Sequence, residues 1–174
     1  MKYLVFLFAV ITGCAQVSET TDYQQVKERI SRDNNRFAFE IYHLLNDNEG
    51  NVFYSPYSIT SAMAMTYNGA EGKTKGEMGN VFGFSADRDE HSAQYQALDK
   101  HLSSLEGEGL RLDIANSLWG QKDYSFKRSF LKRNEKYFSA GLQQVDFKSR
   151  HQQVREEINR WIEEQTNHKI QDRS

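Results

Sequence analysis

The sequence predicts an α+β fold, mostly helices with a few short strands. Three observations predict it. Residues 23–46, 87–105 and 149–167 each carry apolar side chains at helical spacing. Residues 56–67 carry no charge and are rich in small residues, the pattern of a helix buried on all sides. Residues 110–118 alternate at Leu112, Ile114 and Leu118, and residues 142–147 form a second short β-prone run.

Met1-Lys2 gives a minimal positive start, and residues 3–11 form an unbroken apolar run. A run of this length is too short to span a bilayer and fits the core of a signal peptide. Ile11-Thr12-Gly13-Cys14 follows at once. It looks like a bacterial lipobox, in which the cysteine becomes the lipidated first residue of the mature protein. The alternative is an ordinary secretory leader whose cysteine is incidental. Residues 16–22 are polar and lack periodicity, so residues 1–13 read as signal peptide and 14–22 as a lipidated tether. This reading exports the protein across the inner membrane. It would be lipid-anchored in the cell envelope or at the cell surface, or extracellular if not lipidated.

Residues 23–46 read as a long helix with Phe37, Ile41, Leu44 and Leu45 in register. The polar run Asn46-Asp47-Asn48-Glu49-Gly50 ends it. Val52, Phe53 and Tyr54 read as a short strand. Ser55 then stands at an N-cap, and Pro56, the only proline, at the first helical position. Asn68-Gly69 stops that helix, and Thr74 with Glu77 reads as a capping box for the next, residues 75–82. Residues 87–105 are amphipathic through Tyr95, Leu98, Leu102 and Leu105.

Asn116 shares the parity of the apolar residues in 110–118. It is either a buried polar lock within the sheet or a strand-end asparagine reaching solvent. Residues 127–138 read as a helix with Phe130, Leu131, Asn134, Tyr137 and Phe138 toward the core, closed by Gly141. Residues 142–147 follow as a strand. In residues 149–167 the apolar face is Val154, Ile158, Trp161 and Ile162.

The net charge of −2 gives no electrostatic support for nucleic-acid binding. A single cysteine excludes an internal disulfide framework and a cysteine-built zinc site. Gly72-Lys73-Thr74 resembles the end of a phosphate loop, but Tyr67 stands where its first glycine is needed. The five histidines lack zinc-protease spacing and read as surface or helix-flank residues. No Gly-x-Ser-x-Gly elbow is present. Lys127, Arg128, Lys132, Arg133 and Lys136 read as a solvated basic helix face. No catalytic residue, cofactor site or metal site emerges, and the chain reads as a non-enzyme.

Asn51, Ser55-Pro56, Ser58-Ile59, Gly69-Ala70, Gly72 and Thr74 together resemble the serpin family of serine protease inhibitors and their non-inhibitory relatives. Further blocks agree in family order: Ala115-Asn116 with Leu118, Val145-Asp146-Phe147, Ile158-Asn159 with Trp161-Ile162, Thr166, and Lys169-Ile170 with Asp172. The resemblance implies the N-terminal half of a serpin fold, mostly helices with a few strands of a large mixed sheet. It assigns residues 23–174 to a truncated domain, with Arg173 where a leucine is usual. It makes Ser55, Ser58 and Asn116 shutter-like structural residues, under the place where the sheet opens. Ile158 and Trp161 become anchors of a helix that crosses the sheet.

The implied parent activity is inhibition of a serine or cysteine endopeptidase by insertion of a cleaved reactive loop. A chain of this extent would lack the loop and be non-inhibitory alone. The alternatives are a non-inhibitory serpin-like binding protein and an unrelated extracytoplasmic binding lipoprotein. The partners so implied are the protease and, through Cys14, a membrane.

Overall fold

The computed structural model describes residues 14–46, 50–105, 107, 109 and 111–171, with side chains from residue 24 onward. The expected signal peptide, residues 1–13, lies outside the described residues. Helix α1 spans Cys14–Leu45. It begins well ahead of the expected start and takes in residues 16–22, read from sequence as a tether. No glycine or proline interrupts the chain from Cys14 to Leu45, so nothing local stops the helix. Ile30 and Phe37 turn inward, whereas Leu44 is 76% exposed despite its helical spacing.

Residues 51–55 form no strand, and Phe53 is 99% exposed. A β-prone run becomes a strand only where a neighbour takes its backbone hydrogen bonds, and none among the described residues does. Helix α2, Pro56–Tyr67, has the expected bounds, with Ser55 as N-cap and Pro56 at its start. Its expected burial on all sides is not met. Thr60, Ser61, Ala64, Met65 and Tyr67 are buried, but Ser58, Met63 and Thr66 are exposed.

Helix α3, Gly72–Phe82, starts at Glu71, which makes no side-chain cap. Thr74 lies inside the helix, so the expected capping box does not form. Lys75 N–H donates to the Glu71 carbonyl and draws the helix start upstream. The helix ends at Gly83, left-handed at φ 72°. A Cβ there would lie 2.5 Å from Asp33 Cγ of α1. Both the backbone sign and the close approach therefore require glycine. Helix α4, Arg88–Ser104, opens on Asp87, whose carboxylate accepts from the N–H groups of Asp89 and Glu90.

Residues 111–117 have no regular structure, although they were expected as a strand. Strand β1 is confined to Leu118–Gln121 and pairs in parallel with β2, Leu142–Val145, with Leu118 opposite Leu142. Among the described residues the sheet has these two strands. Gly120 packs so closely that a Cβ would meet the Phe126 ring at 2.6 Å. Parallel pairing requires a crossover, and helix α5, Arg128–Phe138, lies within it. Ser139, left-handed at φ 51°, closes α5 instead of the expected Gly141. The buried Ala140 fixes that turn, its N–H bonding the Asn134 carbonyl.

Phe147 belongs not to β2 but to helix α6, Phe147–Gln165, which Asp146 caps through Ser149 N–H. The aromatic core joins Ala64 and Tyr67 of α2, Phe84 of the α3–α4 connection and Tyr95 of α4. Helix α5 docks on α4, and α6 lies against β1.

Candidate functional site

The N-terminal turn of α2 is where the sequence-derived site residues meet. Pro56 removes one donor from the helix start, leaving Ser55 free to cap the rest. Ser55 Oγ accepts from Ser58 N–H at 3.2 Å and from Ser58 Oγ at 2.9 Å. Both serines are exposed. Ser61, one turn further on, is 3% exposed, and its hydroxyl accepts from Asn116 Nδ2 at 3.3 Å. Asn116 is half-buried. Its amide is therefore bonded to α2 and not to a neighbour within a sheet.

Residues 113–117 and α6 complete the site. A cleft of about 400 Å³ opens between α2, this segment and α6. Ser58, Ser61 and Asn116 line it together with Ile158 and Trp161. Trp161 and Trp119 of β1 meet edge to face, with centroids 6.3 Å apart, and both Ile158 and Trp161 are half-buried. A second hollow, of about 500 Å³, lies between α1, α4 and Leu112 and Ile114. Ser55 lines only this second hollow, while Ser58 and Ile114 line both. The α2 N-terminus is thus a polar ridge between two largely apolar hollows, with residues 111–117 strung across them.

Tyr57, on the same turn, is anchored to α4 by a 3.3 Å bond from its hydroxyl to Asp99 Oδ1. Burial, then the Asp99 carboxylate, holds its phenol above the usual range.

Sequence reasoning missed two buried features behind this site. His91 is 1% exposed and Ser92 0%, although all histidines were expected at the surface or on helix flanks. The signal was present: His91 precedes Tyr95 by one helical turn and so shares its inward face. Ser92 Oγ donates to Asn68 Oδ1 at 3.0 Å, and Asn68 Nδ2 donates to Asn134 Oδ1 at 3.0 Å. Within the expected basic face of α5, Arg133 is engaged with Asp89 at 3.0 and 3.2 Å. Lys136 Nζ lies 2.8 Å from the Tyr137 hydroxyl. That surface is partly used to bind α5 to α4.

Among the described residues no helix is long and apolar enough to cross a membrane. Nor do three or more His, Cys, Asp or Glu residues there gather in a way that could hold a metal ion.

The family model described as Serpin (serine protease inhibitor) matches residues 32–173. Leukocyte elastase inhibitor A of Rattus norvegicus is 39% identical over 145 residues, covering 82% of this chain and 38% of that protein. A serpin-like protein of Thermococcus kodakarensis is 38% identical over 157 residues, covering 88% of this chain and 37% of its own length. Among solved structures, a cleaved Serpin 42Da is similar with a TM-score of 0.74 and 27% identity, over 84% of this chain and 38% of the other. Reactive-loop-cleaved human thyroxine binding globulin is similar with a TM-score of 0.73 and 28% identity, over 84% of this chain and 44% of the other. The chain spans less than half the length of each of these relatives.

Proposed function

The chain belongs to the serpin family of protease inhibitors, and from that premise we propose that its parent activity is inhibition of a serine or cysteine endopeptidase. The family's route is cleavage of a reactive loop, which then enters the large sheet as an added strand while the protease stays trapped as an acyl-enzyme. Strand addition of this kind draws on strain stored in the uncleaved form. Residues 1–174 contribute the region that governs sheet opening. The observation that carries this reading is the joint use of one cleft by Ser58, Ser61, Asn116 and Trp161. One weak polar pair, from Asn116 to Ser61, ties α2 to the approach to β1, and α6 lies against that strand.

The test compares two proteins against a panel of serine and cysteine proteases. One is the product of the whole coding region, including any residues encoded after Ser174. The other is residues 1–174 alone. The whole product is expected to form a covalent complex, stable on a denaturing gel, with at least one protease. The 174-residue chain is expected to be cleaved as a plain substrate. A complex formed by residues 1–174 alone would overturn the assignment of this span to sheet control. Failure of the whole product with every protease would favour a non-inhibitory binding protein. The likeness to thyroxine binding globulin supports that second reading.

The Ile11-Thr12-Gly13-Cys14 sequence supports a further part of the proposal, an acyl anchor on Cys14 that holds the exported protein at the cell envelope. Expressed in a bacterium, the protein is expected to partition into detergent and carry acyl mass on Cys14, and Cys14→Ser to abolish both. An unmodified Cys14 on exported protein would remove the anchor.

A further inference from the structure

We propose that His91 is an acid-sensitive latch, whose neutral imidazole closes the aromatic cluster joining α2 to α4 and whose protonation opens it. Asn68 N–H donates to the Met65 carbonyl rather than reaching back four residues, which leaves the Ala64 carbonyl without its helical donor. The Ala64 backbone acts on the His91 ring in the direction that favours its charged form. Among the described residues Nε2 of that ring is buried without any hydrogen-bond partner. A neutral imidazole can leave that nitrogen unprotonated.

Rings surround the imidazole. The centroids of Phe84, Tyr95 and Tyr67 lie 4.4, 5.0 and 5.1 Å away. Tyr67 is held in turn, its hydroxyl donating to the Ser85 carbonyl at 3.1 Å. A second proton on His91 would place an N–H and a positive charge at Nε2, where no acceptor waits.

The surrounding charges do not rescue that state. From α1, Arg29 opposes a charge on His91 and also pairs with Glu90 at 3.4 Å. Asp33 of α1 acts on Tyr95. Glu90, on α4 itself, favours protonation but is already occupied by Arg29, Ser85 and Gln94. From α3, Lys75 sits over the Tyr67 ring at 5.8 Å. Arg88, next to the cluster, pairs with Glu71 and the Ala70 carbonyl. Burial outweighs these charges and lowers the His91 pKa to about 4 from 6.5. A group so depressed leaves stability intact above the unfolded value. Stability then falls as pH drops from 6.5 toward 4, and the loss is complete below that.

Exchange of the histidine C2 proton, followed by mass spectrometry on the 174-residue chain, reads each histidine separately. Backbone exchange in α2 and α4 is read from the same samples. His91 is expected to stay neutral until near pH 4, while α2 and α4 lose protection tenfold or more between pH 6.5 and 4. His91→Gln, which stays polar but cannot charge, is expected to hold protection through that range, and so is His91→Phe. The latch is overturned if His91 titrates near the ordinary imidazole value with both helices protected. It is equally overturned if either folded variant loses protection at the wild-type pH. Should both variants fail to fold, the wild-type titration decides alone.

Discussion

Asn68 joins three helices with one side chain. It ends α2, accepts from Ser92 of α4 and donates to Asn134 of α5. All three residues are at most 4% exposed, so water cannot substitute for a lost partner. Asn134 Nδ2 already lacks a partner among the described residues, which makes its one accepted bond more consequential. Asn68→Ala would strand both Ser92 and Asn134. Each orphaned group costs roughly 1–3 kcal/mol. Ser92→Ala would remove the donor along with its bond and is expected to cost less. Urea melts of the two variants would check this. A loss from Asn68→Ala no larger than that from Ser92→Ala would mean that the network does not couple the helices.

At the level of elements, legibility in the sequence followed how local the deciding interactions are. Helix α2 was readable to the residue because Ser55, Pro56 and Asn68-Gly69 decide its ends within a few positions of the chain. Asp87 caps α4 by the same local logic, although residues 87–105 were read only as an amphipathic stretch. Residues 51–54 and 111–117 were misread as strands. Their composition fits a pleated surface, but a strand exists only where a second backbone lies alongside, and β2 reaches only residues 118–121. The same distinction divides the site. The Ser55–Ser58 pair follows from capping, three residues apart. The Ser61–Asn116 bond spans 55 positions, and nothing local announces it. For Asn116 the residues left open a lock within the sheet and a strand end reaching solvent; its amide instead meets Ser61 of α2, outside any strand. Phe147 shows the reverse error. The Gln121 amide accepts from Lys148 N–H and donates toward Asp146, drawing the chain out of β2 into α6.

At the scale of the whole molecule, the buried apolar set and the exposed apolar groups can be set side by side. Among the described residues the buried set comprises Ile30, Phe37, Ala64, Met65, Tyr67, Phe84, Tyr95, Ala140 and Val154. Against it stand Phe53 at 99% exposed, Leu44 at 76%, Phe39 at 68% and Ile170 at 59%. Much of this exposed surface lies away from the aromatic core, on α1 and on the segments flanking α2 and α6. The two-stranded sheet adds unpaired edges, which invite another strand. A two-stranded unit without further cover is marginal. The fold therefore has one well-knit region, where α1 to α5 meet around Tyr67 and His91, and a loosely covered one, around the cleft, β1 and α6. For the 174-residue chain on its own, the expected outcome is helical far-ultraviolet signal with weak cooperativity and concentration-dependent self-association. Sedimentation velocity and urea unfolding at several protein concentrations would check it. Hydrogen exchange should be slowest in α2 and α4 and fastest in β1, β2 and α6. Should the chain instead remain a monomer and unfold in one sharp, reversible, concentration-independent step, the exposed apolar groups and sheet edges would not be governing its behaviour. The cleft would then be a stable feature of this span by itself.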